Sequence, residues 1–208
     1  MMEQTLVYYK DQYLDELDSP ILSCDGNKVC FAQNIFFPQT KGELSDLGSV
    51  NGIGVEKVAK EDGNVVVHLR DKPSIQKDQS ARQKIDWDYR LNGMKLHSAL
   101  HLVTGVMERD HGIRAVAGNV YENKGVLTFK KPVPEMIYMT LEDAVNEFIN
   151  SEKDIRTYWD EKREGFRWCQ IGDLEPIPCG GLHVKNTKEI GELELAGNGE
   201  KLEIRLRN

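Results

Sequence analysis

Two histidines on one predicted helix are the first residues whose type and spacing point to chemistry. His97 and His101 lie four residues apart in a stretch with a helical apolar pattern. At this spacing two side chains lie one turn apart on the same helix face, close enough to share one ion. The pair by itself also fits two polar residues on a helix surface.

A second pair of ligand types follows in Pro178-Cys179-Gly180-Gly181-Leu182-His183. The two glycines form a flexible bend that can turn both flanking side chains the same way. Thiolate and imidazole are preferred zinc ligands, and four such groups suit tetrahedral coordination. Cys179 alone would fit a small buried apolar residue. Together the two pairs predict one zinc ion per chain, held by His97, His101, Cys179 and His183.

Two common zinc motifs do not fit these residues. The helical motif of zinc proteases needs Glu directly after the first histidine, where Ser98 stands. A zinc finger needs a cysteine pair in place of His97 and His101.

The elements that must position these ligands divide into two predicted domains, 1–85 and 86–208. The first is β-rich, with short β-prone runs at 5–9, 28–31 and 65–69, and this spacing suggests a small barrel. Residues 71–86 are polar and poor in large apolar groups, which predicts a connector and a boundary near Ile85.

The second predicted domain is α+β. Residues 89–109 and 141–159 show helical apolar periodicity. Residues 118–130 and the alternating tail 193–206 predict two hairpins, with turn residues near 122–125 and 197–199.

Composition and charge narrow the functional classes. The 208 residues are 39% hydrophobic and 29% charged, as in an ordinary globular protein. No apolar run approaches the roughly 20 residues that cross a bilayer, and the N-terminus lacks a secretion signal. We expect a cytoplasmic protein with reduced cysteines and no membrane partner. The net charge of −7 argues against a DNA-coating protein but allows RNA bound at a local basic patch.

Three motifs resemble one family. Residues 86–102, with His97-Ser98-Ala99-Leu100-His101-Leu102, resemble the first metal motif of the alanyl-tRNA synthetase editing domain, and more closely the HTAxHLL or HSAxHLL pattern of free-standing AlaX-type proteins. Residues 179–191 are similar to the family's CGGTHVxxTxEIG pattern at every defined position except Leu182. Residues 36–48 resemble the FYPEGGGQPxDxG loop of the medium-length AlaX class.

The resemblance covers nearly the whole chain and implies its fold and activity. It implies an α+β chain in which a small N-terminal β-barrel precedes a zinc-binding editing domain of the threonyl and alanyl-tRNA synthetase second-additional-domain type. No synthetase catalytic domain is attached, so it implies a free-standing, ATP-independent hydrolase acting in trans. The implied partner is mischarged tRNA(Ala), above all Ser-tRNA(Ala) and also Gly-tRNA(Ala).

The chain departs from the family pattern at several positions. Thr40 and Lys41 stand where glycines are usual, Glu43 replaces Gln, and Leu44 replaces Pro. Leu182 replaces Thr, and Leu100 lies where some relatives carry a hydroxyl. These changes keep the metal ligands but leave the amino-acid preference open.

Further residues are expected at the site. The backbone amides of Gly180 and Gly181 are candidate oxyanion donors. Glu43 is a candidate general base or ligand of the substrate α-amino group, or else a solvated loop carboxylate. Ser98 offers a hydroxyl or is a packing residue. The expected substrate-binding residues are Gly42, Asp46, Ser98 and Leu182.

Basic and aromatic residues of the second domain are candidate tRNA contacts. Trp159 and Trp168 are candidates for stacking on the terminal adenosine, with core packing as the alternative. The basic candidates for tRNA contacts are Lys124, Lys130, Lys131, Lys153, Arg156, Lys162, Arg163 and Arg167.

Two other functions stay open: a zinc-stabilised tRNA-binding module without activity, and a metal-dependent hydrolase of small esters or amides. The oligomeric state is not predicted.

Overall fold

The computed structural model describes residues 3–207 and shows an α+β chain. The chain divides into two compact units, Met1–Leu91 and Asn92–Asn208. In the described part of the chain, no helix is both long and apolar enough to cross a membrane.

The first unit is built from strands. Six of them pair in the order β2-β3-β7-β6-β5-β8, and β8 pairs back to β2, so the sheet closes on itself. β1 pairs with β4 in parallel. The buried residues of this unit are mostly Val, Ile and Phe, which suit a pleated interior. The strands are β1 (Thr5–Leu6), β2 (Glu16–Asp25), β3 (Lys28–Phe31), β4 (Gln33–Asn34), β5 (Gly48–Val50), β6 (Ile53–Glu61), β7 (Asn64–Leu69) and β8 (Ser80–Ile85).

The structure corrects two predictions in this unit. The predicted connector over 71–86 is wrong in its second half, because β8 is a strand of the ring that buries every second residue. The buried polar Gln83 obscures that alternation in the sequence. Its side chain accepts from the Ile35 N–H at 3.2 Å and donates to the Gln33 carbonyl at 2.8 Å. The β-prone run 5–9 is a strand only as far as Leu6, since Val7–Tyr9 form a 3₁₀ helix.

The second unit combines helices with two sheets. The two units divide after Leu91, which lies within helix α1 (Trp87–His111). The sequence predicts this boundary a few residues earlier, near Ile85. One sheet has the order β14-β15-β10-β9, and the other has the order β11-β12-β13. The remaining elements are β9 (Ala115–Tyr121), β10 (Lys124–Phe129), α2 (Glu135–Asn150), β11 (Ile155–Trp159), β12 (Arg167–Ile171), β13 (Ile177–Pro178), β14 (Leu193–Asn198) and β15 (Lys201–Leu206).

Most elements predicted for this unit are confirmed. α1 contains the predicted helix, and β9–β10 and β14–β15 are the two predicted hairpins. The second predicted helix is wrong beyond Asn150. Glu152 takes a left-handed φ of 53°, and the chain then forms strand β11. That segment is rich in β-branched and aromatic residues, which favour a strand over a helix.

A glycine lets the sheet approach the helix that carries the two histidines. A Cβ on Gly125 of β10 would lie 2.9 Å from Leu100 Cδ2 on α1, so only glycine fits without movement. The neighbouring Leu102, Val103 and Val106 of α1 are fully buried. α1 therefore packs closely against the sheet at Leu100, between His97 and His101.

Two glycines of the second unit should respond oppositely to alanine. A Cβ at Gly197 would lie 2.3 Å from the Tyr138 ring, and the Tyr138 hydroxyl also donates to the Gly199 carbonyl at 3.1 Å. Gly197→Ala should therefore destabilise the protein by about 1–3 kcal/mol. Gly93→Ala in α1 meets nothing within 4 Å and should stabilise by up to about 1 kcal/mol. Urea midpoints measure both, and shifts of the same sign would contradict this packing.

Candidate metal centre

Helix α1 presents two of the four predicted ligands. The rings of His97 and His101 have centroids 4.8 Å apart and lie nearly perpendicular. His97 Nδ1 lies 3.2 Å from the backbone carbonyl of Leu182. A carbonyl only accepts, so Nδ1 is the donor and the lone pair of Nε2 remains available for a metal.

The loop that follows β13 presents the other two ligands. The Cys179 N–H donates to the Arg167 carbonyl at 2.9 Å, and the Gly181 N–H points back to Cys179 Sγ at 3.3 Å. The buried guanidinium of Arg167 donates to the Gly181 carbonyl at 2.5 Å. These bonds fix the backbone of the bend, so Cys179 is held on an ordered loop.

His183 is oriented by a buried serine. Its Nδ1 lies 3.1 Å from Ser98 Oγ, which also accepts from the Val184 N–H at 3.2 Å. This leaves His183 Nε2 facing Cys179 Sγ at 3.2 Å. A hydrogen bond on the second ring nitrogen is the usual way in which a protein orients a metal-binding histidine.

The four side chains converge on one point. One ligand atom from each of His97, His101, Cys179 and His183 lies within 4.8 Å of the others, so the group could hold a metal ion. In tetrahedral zinc sites, bonds of 2.0–2.3 Å place neighbouring ligand atoms about 3.3–3.8 Å apart. Cys179 Sγ lies 3.5 Å from His97 Nε2, close to that spacing. Within residues 3–207 the buried Nδ1 of His101 has no hydrogen-bond partner, as expected for a ring that binds an ion or water.

The electrostatics of the cluster suit metal binding. Burial alone would raise the pKa of Cys179, but the charges of His97 and His183 and hydrogen bonds from His101 and His183 outweigh it and hold the pKa well below its ordinary value. Burial lowers the pKa of His183 to about 4. Thiolate and neutral imidazole are the protonation states that bind zinc. Burial raises the pKa of the neighbouring thiol Cys169, so this second cysteine stays protonated.

A cavity of about 300 Å³ lies beside the cluster. His97 and His101 line it, together with Thr104 one turn further along α1. Its walls combine an apolar surface with one cationic side chain, Arg114. The other lining residues are Leu100, Ala115, Val116, Ala117, Gly118, Leu127, Ile177 and Pro178.

The structure gives three expected site residues of the second unit contacts that the sequence does not predict. Ser98 is fully buried and its hydroxyl orients His183, while its binding of substrate stays a prediction. Leu182 is buried and contributes its carbonyl to His97. The Gly181 N–H donates to Cys179 Sγ at 3.3 Å, and its role as an oxyanion donor stays a prediction. Gly180 is exposed and stays a candidate donor.

The three expected site residues of the first unit lie on the loop between β4 and β5. Asp46 is buried and both of its carboxylate oxygens bind Arg90, one of them also accepting from the Phe37 N–H. A buried carboxylate that is paired with a guanidinium has a structural role in this loop, and the binding of substrate by Asp46 stays a prediction. Glu43 accepts from the Thr40 hydroxyl at 3.1 Å, and Gly42 takes a φ of 122°.

Sequence reasoning missed Thr104 and the structural role of Arg167. Thr104 lies seven residues after His97, a spacing that returns to the same helix face and was available as a signal. Arg167 was considered only as a tRNA contact, but it is buried and also donates to the Thr157 hydroxyl at 2.7 Å. Nothing in the local sequence marks that role.

Comparison with known proteins identifies the kind of domain that contains Cys179 and His183. Residues 166–205 match the family model of the threonyl and alanyl tRNA synthetase second additional domain.

Curated relatives extend the match over most of the chain. The alanyl-tRNA editing protein AlaX-M of Pyrococcus horikoshii is 33% identical over 90% of this chain and 88% of its own length. AlaX-M of Saccharolobus solfataricus is 26% identical over 91% of this chain and 90% of its own length. The alanine–tRNA ligase of Methanococcus aeolicus is 25% identical over 93% of this chain, which spans only 24% of the ligase. The chain belongs to the AlaX family of alanyl-tRNA editing proteins.

Proposed function

We propose that this protein hydrolyses the ester that joins a wrong amino acid to tRNA(Ala), with Ser-tRNA(Ala) as the preferred substrate and Gly-tRNA(Ala) as a second one. Water adds to the ester carbonyl carbon, the bond to the ribose oxygen breaks, and a free amino acid and tRNA leave. The observation that carries the proposal is the convergence of four ligand side chains beside a cavity lined by His97 and His101.

The proposed cofactor is one zinc ion held by His97, His101, Cys179 and His183. When bound, zinc polarises a carbonyl or lowers the pKa of a water to about 7. A site with four protein ligands is more often structural than catalytic. This favours, as the second candidate, a zinc-stabilised tRNA-binding module without hydrolytic activity.

The cavity suits a small amino acid with a hydroxyl. Leu100, Leu127 and Val116 limit its size, and the Thr104 side chain, 9% exposed, lines it. A buried hydroxyl that pairs with the substrate hydroxyl favours serine over alanine, because alanine leaves the site's polar group unpaired. We therefore assign amino-acid discrimination to Thr104.

Two further groups have proposed roles in the reaction. The Gly180 N–H is the proposed oxyanion donor, because its backbone is exposed while that of Gly181 is engaged. Glu43 is the proposed ligand of the substrate α-amino group or the general base. The support for Glu43 is its charge and its place in the loop that resembles the family's glycine-rich motif.

A substrate panel tests the function and the role of Thr104 together. The wild-type protein should release serine from Ser-tRNA(Ala), release glycine more slowly, and leave Ala-tRNA(Ala) intact. Thr104→Val should lower the rate on Ser-tRNA(Ala) about tenfold, the effect of losing one hydrogen bond, with little change on Gly-tRNA(Ala). Valine has nearly the same volume as threonine, so this substitution removes the hydroxyl while it leaves the packing of the site almost unchanged.

Each outcome of the substrate panel supports a different one of the proposed functions or tests the role of Thr104. No release from any substrate by the zinc-loaded protein would support the binding module and end the hydrolase proposal. Release from small esters alone would indicate the hydrolase of small esters. Equal losses of Thr104→Val on the serine and glycine substrates would overturn the role of Thr104.

A further inference from the structure

Strand β11 ends in an exposed tryptophan. Trp159 is 49% exposed at the end of a strand whose first residue, Ile155, is buried. A large aromatic ring that is half open to solvent is typical of a surface that binds a partner. The position of this ring indicates which partner it serves.

Trp159 lies next to the loop that supplies two of the four ligands. It pairs across the hairpin with Arg167, so both side chains leave the same face of the sheet. The Arg167 guanidinium carbon lies 6.0 Å from the Trp159 ring centroid. The same guanidinium donates to Gly181, and the Arg167 carbonyl accepts from Cys179. One residue, Arg167, thus joins the exposed ring to the ligand loop.

Trp168 is placed differently. Its Nε1 donates to Asp160 at 2.8 Å, and Arg163 packs 3.9 Å from the Phe166 centroid and 5.1 Å from Trp168. Trp168 is therefore an internal part of the hairpin. Of the two tryptophans of this hairpin, Trp159 is the one that is about half exposed, and it lies against Arg167, the residue that contacts the ligand loop.

We propose that Trp159 is a stacking platform for a base in the single-stranded 3′ end of the tRNA. This inference rests on the proposed function, which requires the acylated 3′ end to reach the ligand cluster. Bases stack on aromatic rings without regard to sequence. The platform holds the strand while its acylated end enters the cavity.

The test compares two proteins with two RNAs. The Kd of wild type and Trp159→Ala is measured for uncharged tRNA(Ala) and for the same RNA without its single-stranded 3′ nucleotides. We expect Trp159→Ala to weaken binding of intact tRNA(Ala) about tenfold, the size of one lost stack, and to leave binding of the shortened RNA unchanged. Trp159→Phe should retain most of the affinity.

Tyr121→Ala is the matched control, because Tyr121 is also 49% exposed in the same unit but lies on β9. It should bind both RNAs as the wild type does. Equal affinities of wild type and Trp159→Ala for intact tRNA(Ala) would overturn the inference, as would the same loss on both RNAs. This binding test needs no hydrolysis, so it separates the failure of the platform from the failure of the deacylase proposal. Zinc content, measured in parallel, should be unchanged in all variants.

Discussion

Cys179→Ala should lose nearly all bound zinc and lower deacylation of Ser-tRNA(Ala) by about 100-fold or more, since even the loss of groups that only orient ligands costs 10–100-fold. The substitution removes the single thiolate of the cluster. It also removes the acceptor of the Gly181 N–H, so the loop before His183 loses one of the hydrogen bonds that order its backbone. Elemental analysis after dialysis against a weak chelator measures the zinc, and the substrate panel measures the rate.

Cys169→Ala is the matched control for this experiment. Cys169 is buried even more deeply than Cys179 and lies on the neighbouring strand β12, but burial raises its pKa, so it stays a neutral thiol. Its alanine variant should keep zinc and activity. Less than half an equivalent of zinc in both wild type and Cys179→Ala, or full activity in Cys179→Ala, would contradict the assignment of the cluster.

The four residues that converge in the cluster could be predicted because each pair has a local signal in the sequence. The spacing of His97 and His101 and the glycine bend between Cys179 and His183 are visible in the sequence. Ligand chemistry suggests that the two halves share one ion, since together they supply four zinc-type ligands, and the family resemblance supports the same pairing. The structure adds Ser98 as the residue that orients His183, a role that depends on contact between residues 85 positions apart.

The errors share a physical cause. The sequence predicts a connector at β8 because that run is poor in large apolar residues and a buried glutamine takes an apolar position. It predicts a helix through β11 because no residue type after the periodic run of α2 marks the end of the helix. Asp46 is predicted to bind substrate because its loop resembles a functional motif, and the structure adds its pairing with Arg90, which the local sequence does not show. In each case a tertiary partner, invisible in the local sequence, decides the role of the residue.

Asp46→Ala should destabilise the protein by about 3–5 kcal/mol, because it leaves the buried charge of Arg90 without its partner. The two side chains are 6% and 1% exposed, and Arg90 also donates to the Ile35 carbonyl at 2.5 Å. Urea unfolding measures the loss. Asp46→Ala combined with Arg90→Met should be clearly more stable than Asp46→Ala alone, because the unpaired charge is gone.

The exposed pair of Glu16 and Arg82 in the same unit is the control for that experiment, and Glu16→Gln should change stability little. A direct role of Asp46 with the substrate predicts a different pattern. Stability would then be unchanged in Asp46→Ala, while the KM for Ser-tRNA(Ala) would rise. Because the Phe37 N–H and Arg90 together occupy the Asp46 carboxylate, we expect the stability loss, and any loss of activity should follow the fraction of protein that is unfolded.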